Sequence, residues 1–425
     1  MLSFMNAAGK PNAERAEAGW PPVVVAGGFH TGVLLMRNLL RRGLEVYCAE
    51  WLREQHCFRS VYGTSFQCPN PDERPADWLE FMIGLSGRIG GRPVLIPAAD
   101  QYVTAMARFA AELEPHFRFH RDAAAVQALL ATKRNQYDLA DAHGMPVPRT
   151  RFAGSREELA EFAAAARFPC VFKPTHFREW SRLPEGHPFR GVQLTVVHSA
   201  EELFEKYQLV AGLNPEVVVQ EVIEGPDSDK LVYLSCYASG GRRIGSCLVR
   251  ELRTSPIHFG SASVVEPIDD PETDRVCDGF LSAIGYAGLC EIELKRDSRD
   301  GRVKMIEANP RYSGTSDAAP YAGVDIGWLH YLDLIGRPVS FVGPDGRDFR
   351  HVVLTRDFSA FRSYRRAGLL TWREFFRAYR PPVAFFDFDL RDWRVTAGTL
   401  NQLFRIVVGP PIRRIFPRKR PRGSS

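Results

Sequence analysis

Apolar runs that alternate with amphipathic stretches predict a parallel sheet in the first third of the chain. A β-branched run at 22–26 ends in glycines, and the apolar spacing of 33–43 is that of a helix ending at a glycine. The pattern returns at 94–97, where a second short apolar run precedes a helical stretch over 102–113. Strands joined by helices in this way predict a doubly wound α/β domain over residues 21–130, after a loose leader.

The glycines that follow the first predicted strand do not form a dinucleotide motif. Gly27, Gly28 and Gly32 depart from the G-x-G-x-x-G spacing that cradles a pyrophosphate. Glu50 is the acid nearest the end of the second strand, and it is not clearly placed for a ribose. A plain tight turn is therefore favoured over an NAD site.

From about residue 131 the pattern changes to one of helices and hairpin-like strands. This alternation favours an α+β domain with an antiparallel sheet over residues 131–342, followed by an extension of different character over 343–425. The predicted elements are helices at 133–143, 155–167 and 199–211, strands at 170–174 and 192–197, and a long polar loop at 175–191.

The strongest chemical signal is a predicted hairpin near residue 300 that carries acids on one face. Residues two apart in a strand share a face, so Glu307, Asn309 and Arg311 point the same way, as do Glu291 and Glu293. Carboxylate and amide oxygens suit Mg²⁺, which proteins usually hold with one or two carboxylates and nucleotide phosphates. An arginine beside them supplies a forked cation for phosphate oxygens.

The alternative is a hairpin whose charges simply face water. It explains the pattern poorly, because the positions between the acids (Ile292, Leu294 and Ile306) are apolar. A metal site is the better interpretation.

The hairpin resembles the signature of the ATP-grasp superfamily, in which Glu-x-Asn-Pro-Arg closes a strand and another acid precedes it. Here that signature spans 307–311, and Glu293 stands fourteen residues before Glu307. The resemblance implies that Glu293, Glu307 and Asn309 bind magnesium, or manganese in its place. It also implies that Arg311 contacts the γ-phosphate or an acyl phosphate.

The resemblance covers roughly residues 22–340, and the other family elements follow in the family's order. Lys133, before the helix that opens the second domain, and Lys173, on a strand ending in Lys-Pro, match the two nucleotide-binding lysines. The run at 219–225 matches the strand that cups the adenine, with Glu221 and Ile223 at the adenine edge.

A closer resemblance is to the carboligase branch that includes D-aspartate ligase and the ATP-binding domain of carbamoyl phosphate synthase. It rests on the runs 94–100, 250–260 and 285–297. In this branch Arg253 is the candidate for orienting the carboxylate or transferring phosphate. The alternative for Arg253, an ordinary arginine in a strand, stays open.

The sequence departs from the family in two places. The loop that closes over the phosphates is usually glycine-rich, but 177–191 contains only two glycines and four basic side chains. The acid that would hold the ribose falls on Ser228, so Asp229 is assigned after a small shift, with Asp227 as the alternative.

The resemblance implies an ATP- and magnesium-dependent, ADP-forming ligase. Such an enzyme activates a small-molecule carboxylate as an acyl phosphate and joins it to an amine or similar nucleophile. Two alternatives remain: an enzyme that forms carbamoyl phosphate or carboxyphosphate, and a nucleotide-binding regulator with little turnover.

The distribution of charge and the cysteine content bear on the partners and the cellular location of the protein. The net charge of +5 comes from seven basic residues between Arg405 and Arg422, which leaves the rest of the chain at −2 and gives little support for a nucleic-acid partner. The eight scattered cysteines and the lack of a visible signal peptide or apolar span favour the cytoplasm.

The apolar positions of a predicted helix near the end of the extension lie beside these basic residues. They are Leu400, Leu403, Phe404 and Val407. Such a pairing could support peripheral contact with the inner face of a membrane through the basic tail, although the sequence slightly favours the alternative. The alternative is a helix docked on the body of the protein, followed by a solubilising tail.

Overall fold

A computed structural model describes residues 19–175, 177–380 and 382–407. The predicted leader lies outside these ranges except for its last two residues, and the basic tail beyond 407 lies outside them entirely. The strands are β1 (Val23–Ala26), β2 (Val46–Glu50), β3 (Thr64–Gln67), β4 (Val94–Pro97), β5 (Thr150–Ala153), β6 (Cys170–Pro174), β7 (Thr195–Val197), β8 (Val217–Glu221), β9 (Lys230–Ala238), β10 (Arg242–Ser255), β11 (Ser261–Ile268), β12 (Gly288–Arg296), β13 (Val303–Asn309), β14 (Arg350–Val352) and β15 (Val383–Phe385).

The α-helices lie between these strands and in the extension. They are α1 (His30–Arg41), α2 (Pro75–Ile89), α3 (Asp100–Arg108), α4 (Ala110–Leu113), α5 (Ala124–Leu130), α6 (Lys133–Ala142), α7 (Arg156–Ala165), α8 (Phe177–Ser181), α9 (Ala200–Val210), α10 (Pro271–Ala283), α11 (Ile326–Leu334), α12 (Leu354–Arg366), α13 (Trp372–Arg377) and α14 (Trp393–Val407). Short 3₁₀ turns are present at His56–Phe58, Asp227–Asp229, Ser239–Gly241 and Thr315–Ala322.

The chain folds into two compact units. The first contains the described residues of Met1–Ala131, Pro226–Ile292 and Ala308–Ser425, and the second contains Thr132–Gly225 and Glu293–Glu307. Along the chain, β12 and β13 each pass from one unit into the other. The sequence prediction kept 131–342 as one domain, whereas the structure distributes those residues over both units.

The first unit contains the predicted doubly wound domain. A parallel sheet runs in the order β3-β2-β1-β4, because the buried valines of β1 pair in register with β2 on one side and β4 on the other. Apolar side chains of α1 pack on one face of this sheet, and those of α2 and α3 pack on the other. The fold class predicted from the alternating pattern is therefore confirmed.

A second sheet of the first unit carries many of the buried polar side chains. Its order is β13-β12-β9-β10-β11-β14-β15, with β10 antiparallel to both β9 and β11. The register between β10 and β11 shifts around Glu251 and Arg253, so a local irregularity lies where the strand carries charge. All eight cysteines of the chain are buried free thiols.

The second unit contains a four-stranded antiparallel sheet in the order β5-β8-β6-β7. β8 pairs with β5 and β6, and its three valines and its glutamine are buried. Ser155 and Ser199 are the N-caps of helices α7 and α9. The side chain of each accepts a hydrogen bond from the backbone N–H three residues later. The core of this unit contains Phe172 and Val219.

Two sequence predictions need correction. The helix predicted over 102–113 is divided into α3 and α4 at Phe109, whose φ of −115° and ψ of 30° leave the helical region. The predicted polar loop at 175–191 contains α8, and its Trp180 and Phe189 are buried and stacked with ring centroids 4.6 Å apart. Burial of these two rings orders a segment whose composition is mostly polar.

The extension is part of the first unit. β14 pairs antiparallel with β11, and β15 pairs parallel with β14, so the extension lengthens the second sheet. Asp387 accepts from the backbone of Leu354 and Thr355 in the first turn of α12, at 2.8 and 2.9 Å. These contacts cap α12 where it follows β14.

Arg253 and Asp357 form a buried ion pair between β10 and α12. The guanidinium donates to both carboxylate oxygens, at 2.8 and 2.9 Å, and the two side chains are 4% and 0% exposed. The hydroxyls of Ser263 and Tyr379 also donate to Asp357, at 2.9 and 2.7 Å. Every partner that this carboxylate needs is therefore supplied inside the unit.

We expect Asp357→Ala to destabilise the protein by about 3–5 kcal/mol, because it leaves the buried Arg253 charge without a partner. Urea unfolding followed by circular dichroism measures the change. The control is Asp348→Ala, which removes a surface carboxylate that is 65% exposed and paired with Arg350, and it should have little effect. Equal unfolding midpoints for the two variants would contradict the structural role of the buried pair.

Candidate functional site

The second unit brings together two predicted nucleotide lysines and a predicted metal ligand. Lys133 opens α6, and its Nζ lies 3.8 Å from Oε1 of Glu307 on β13. Lys173 on β6 donates to Oε1 of Gln220 at 3.3 Å. Burial and the nearby Lys133 lower the pKa of Lys173 to about 8, while Glu307 acts in the opposite direction. The three charges therefore lie close enough to act on one another.

A hydrogen-bond chain fixes Gln220 against Lys173. The Gln220 amide nitrogen donates to the hydroxyls of Tyr137 and Thr150, at 2.7 and 2.8 Å. Tyr137 in turn donates to the carbonyl of Ile306 at 2.6 Å. Since the amide nitrogen is occupied, the amide oxygen is directed at Lys173. Sequence reasoning missed Gln220 and Tyr137, although Gln220 directly precedes the predicted hinge residue and Tyr137 lies on the helix that Lys133 opens.

Both carboxylates predicted for metal in this unit lie near Tyr137. Burial raises the pKa of Tyr137, a hydrogen bond from Gln220 opposes the shift, and the charges of Glu307 and Glu293 raise the pKa further. Glu307 also lies 3.8 Å from Lys133, and Gln220 links Tyr137 to Lys173 by hydrogen bonds. This mixture of cations and hard oxygen ligands is suited to polyphosphate with a divalent cation.

The predicted adenine strand is held by contacts within the same unit. Oε1 of Glu221 accepts from the backbone of Arg167 at 2.8 Å, and Ile223 is buried. The carbonyl of Val222 accepts from Arg299 at 3.0 Å, and Arg299 is bound by the fully buried Asp297. Burial raises the pKa of Asp297, but hydrogen bonds from Arg299 and Lys304 outweigh it and hold the pKa well below its usual range.

In the first unit, Asn309 and Arg311 occupy a separate network. The Asn309 amide nitrogen donates to Glu291 at 3.3 Å, and its amide oxygen accepts from Arg311 at 3.0 Å. Arg311 also donates to both oxygens of Asp100, at 2.6 and 3.1 Å. The hydroxyl of Ser313 donates to the other oxygen of Glu291. Glu291 therefore sets the direction in which the Asn309 amide points.

Two further predicted residues have different surroundings. Arg253 is enclosed by its ion pair with Asp357, which is the arrangement of a structural arginine. Asp229 is half-buried at the end of a 3₁₀ turn. The alternative ribose acid, Asp227, is buried, and its Oδ2 accepts from Tyr364 and from the backbone of His258, while its Oδ1 lies 3.3 Å from the ring Nδ1 of His258.

The segment predicted to close over the phosphates has a packed side and an exposed side. Leu183, Trp180 and Phe189 belong to the core of the second unit. The carboxylate of Glu179 accepts from Asn214 at 3.0 Å, which ties α8 to the end of α9. Arg182 and Arg190 are exposed.

The described ranges show neither a dense metal cluster nor a membrane span. Among those residues, no three His, Cys, Asp or Glu side chains converge on a point where they could hold a metal ion. No helix within them is long and apolar enough to cross a bilayer.

Sequence comparison relates the chain to ligases and synthases. It is 25% identical over 246 residues to the D-aspartate ligase of Enterococcus faecium, covering 55% of this chain and 56% of that protein. It is 26% identical over 293 residues to the mitochondrial arginine-specific carbamoyl phosphate synthase large chain of Neurospora crassa, covering 63% of this chain and 23% of that protein. The chain thus spans about half of the first relative and a quarter of the second. No family model matches the chain.

Structural comparison shows the same fold. An ADP complex of N5-carboxyaminoimidazole ribonucleotide synthetase superposes with a TM-score of 0.58 and 13% identity, over 76% of this chain and 79% of that one. The L-amino acid ligase from Bacillus licheniformis superposes with a TM-score of 0.54 and 15% identity, over 74% of each chain. The relatives and the structural neighbours therefore agree with the resemblance of the sequence to the ATP-grasp superfamily, and the shared fold covers about three quarters of the chain.

Proposed function

We propose that this protein is an ATP-dependent, ADP-forming ligase that joins a small-molecule carboxylate to an amine. The observation that carries the proposal is that Lys133, Lys173 and Glu307 act on one another in the second unit, where Glu307 and Glu293 also act on Tyr137. The names of its relatives support the reaction class, since they include a D-aspartate ligase and an L-amino acid ligase.

The proposed chemistry begins with a carboxylate, which is a poor acyl donor because its leaving group would be oxide. A carboxylate oxygen attacks the γ-phosphorus of ATP, the bond to the bridging oxygen breaks, and ADP leaves with the electron pair. An amine then attacks the acyl carbon and phosphate departs. Such a site works mainly by positioning groups and neutralising charge.

The proposed roles of the residues follow from the resemblance to the ATP-grasp superfamily. Lys133 and Lys173 bind phosphate oxygens, and Arg311 binds the transferred phosphoryl group. Glu221 and Ile223 lie at the adenine, and Asp229 holds the ribose. We assign Arg253 to stability rather than to transfer, because its guanidinium is held by Asp357.

Mg²⁺, or Mn²⁺ in its place, fits the donor set of Glu293, Glu307 and Asn309, which consists of hard oxygen ligands. When bound, the ion offsets phosphate charge and orients the phosphate oxygens. The Glu291 contact that fixes the Asn309 amide also leaves its oxygen directed away from Glu291.

The decisive experiment measures release of ADP and phosphate from ATP with Mg²⁺ across a panel of amino acids, amines and cell-envelope precursors. Stimulation that requires both a carboxylate and an amine supports the ligase. Stimulation by bicarbonate alone would instead favour the carboxyphosphate-forming alternative, which the carbamoyl phosphate synthase relatives suggest. Normal nucleotide binding without any stimulation would favour a regulator.

We expect Lys173→Met to weaken ADP binding by about tenfold to a hundredfold, because a charge-assisted contact to phosphate is lost. Wild-type affinity should also fall as pH rises through about 8, since Lys173 is then neutral in the free protein and must take up a proton to bind phosphate. Isothermal titration calorimetry at several pH values measures both effects. Lys206→Met, on α9 of the same unit, is the control, and an equal loss there would contradict the assignment.

We also propose peripheral contact between the extension and an anionic membrane surface. On α14, Trp393, Leu400 and Phe404 are 62%, 51% and 61% exposed, and their spacing of seven and four residues places them on one helical face. On α13, Trp372 and Phe376 are 56% and 59% exposed. Aromatic and apolar side chains on a helix face are suited to the lipid headgroup boundary.

The charges of the extension support the same partner. Three of its acids, Asp357, Asp387 and Asp392, are at most 4% exposed, while Asp345, Asp348 and Glu374 are exposed. Its arginines are largely turned outward, and the exposed ones on or beside α12, α13 and α14 are Arg365, Arg366, Arg373, Arg377, Arg394 and Arg405. The basic tail, which lies outside the described residues, follows α14 along the chain. Basic side chains near a bilayer favour anionic lipids.

We expect the full chain to sediment with phosphatidylglycerol vesicles at low salt and to be released at high salt. Leu400→Ser combined with Phe404→Ser should reduce the bound fraction severalfold, because apolar area no longer enters the headgroup region. The matched control is Leu213→Ser, which changes a leucine of the second unit that is 58% exposed. Unchanged binding in the double variant and in a variant lacking 409–425 would remove the membrane proposal.

A further inference from the structure

Glu251 on β10 is a buried carboxyl group that the reaction described above does not use. The residue is 4% exposed, and its Oε2 accepts no hydrogen bond within the part of the chain that the structure describes. Its ion-pair partner on the neighbouring strand is Lys230, with Nζ 3.9 Å from that oxygen. Such a long contact leaves the buried oxygen without a close donor.

The charges around Glu251 do not balance when all are ionised. Lys230 and the guanidinium of Arg356 on α12 favour its charged form, while Glu291 on β12 and Asp227 oppose it. Counting Glu251 itself, three acids stand against two cations. Burial and the two neighbouring acids raise the pKa of Glu251 to about 7, against the effect of both cations. With all five groups ionised, the cluster therefore carries one negative charge in excess.

The two cations are already anchored by backbone carbonyls. Lys230 donates to the carbonyl of Gly260 at 3.3 Å, and Arg356 donates to that of Ala262 at 2.5 Å. Each cation is thus tied to the chain around β11, and moving it closer to Glu251 would break a hydrogen bond. A cationic ligand could supply the missing charge without that cost.

Glu251 also lies beside the network that holds the proposed phosphoryl-transfer residues. Glu291, whose charge acts on Glu251, accepts from Asn309, and Asn309 accepts from Arg311. All four residues belong to the first unit. Glu291 therefore connects Glu251 to Asn309 and, through Asn309, to Arg311, which is proposed to bind the transferred phosphoryl group.

We propose that Glu251 binds the ammonium group of the amine substrate and accepts its proton before the amine attacks. This assignment rests on the proposed ligase function and names the amine subsite of that same reaction. The ammonium supplies the positive charge that the cluster lacks, so Glu251 is ionised while the substrate is bound.

In the proposed step, an N–H bond of the ammonium breaks and the proton passes to a carboxylate oxygen of Glu251. The freed lone pair on nitrogen forms the bond to the acyl carbon. The bond from that carbon to the phosphate oxygen breaks, and phosphate leaves with the electron pair and with the second proton that the nitrogen loses as the amide forms. Glu251 then returns its proton to solvent. A base with a pKa near 7 is suited to this transfer at neutral pH.

The test is Glu251→Gln, which keeps the size of the side chain but cannot ionise. We expect the KM for the amine to rise by about tenfold to a hundredfold and kcat to fall, because a charge-assisted contact and a proton acceptor are both lost. Hydroxylamine is uncharged at neutral pH and needs neither the charge-assisted contact nor the proton acceptor. Hydroxamate formation from ATP, the carboxylate and hydroxylamine should therefore stay within about twofold of wild type in this variant.

The outcomes separate this assignment from the proposed function. If Glu251→Gln loses both hydroxamate formation and amine ligation, the amine role is overturned and Glu251 is a structural residue. Normal amine KM and kcat in this variant would overturn it as well. Absence of both products in the wild type would instead overturn the ligase proposal. Glu112→Gln, the same change at an exposed position of α4, is the matched control.

Discussion

The cost of burying charge inside β-sheets governs the structure of this protein. Each buried ion needs a partner, and the sheets differ in how completely they provide one. Arg253 and Asp357 satisfy each other in full, and Asp297 is held by two cations. Within the described residues, the hydrogen-bond partner of the Lys173 ammonium is the neutral amide of Gln220, and the ion-pair partner of Glu251, Lys230, lies 3.9 Å away. The incompletely paired charges are the ones for which we propose a substrate.

Part of this arrangement could be predicted from the sequence. Local pattern predicts the strand that carries Glu307 and Asn309, which is β13, and a β-branched run that ends in glycines predicts the buried parallel strand β1. Lys173 follows from its position at the end of such a run. Local patterns fixed these features, so no tertiary information was required.

The remainder depends on contacts between residues far apart in the chain. Arg253 meets Asp357, which is 104 residues away, and no local pattern indicates that its guanidinium is enclosed. Gln220 and Tyr137 are 83 residues apart and orient Lys173 only once β8 and α6 have packed together. The order in 175–191 likewise depends on where Trp180 and Phe189 are buried, which its mostly polar composition conceals.

The edge of the second sheet has a consequence for how the chain could be divided. β14 supplies hydrogen-bond partners to β11 at Val264 and Val265, and β15 then covers β14. A chain cut after residue 342 would leave the backbone amides and carbonyls of β11 open as a template for another strand. The same cut would remove Asp357. We infer that such a fragment self-associates through that edge, and that the extension protects the protein from aggregation.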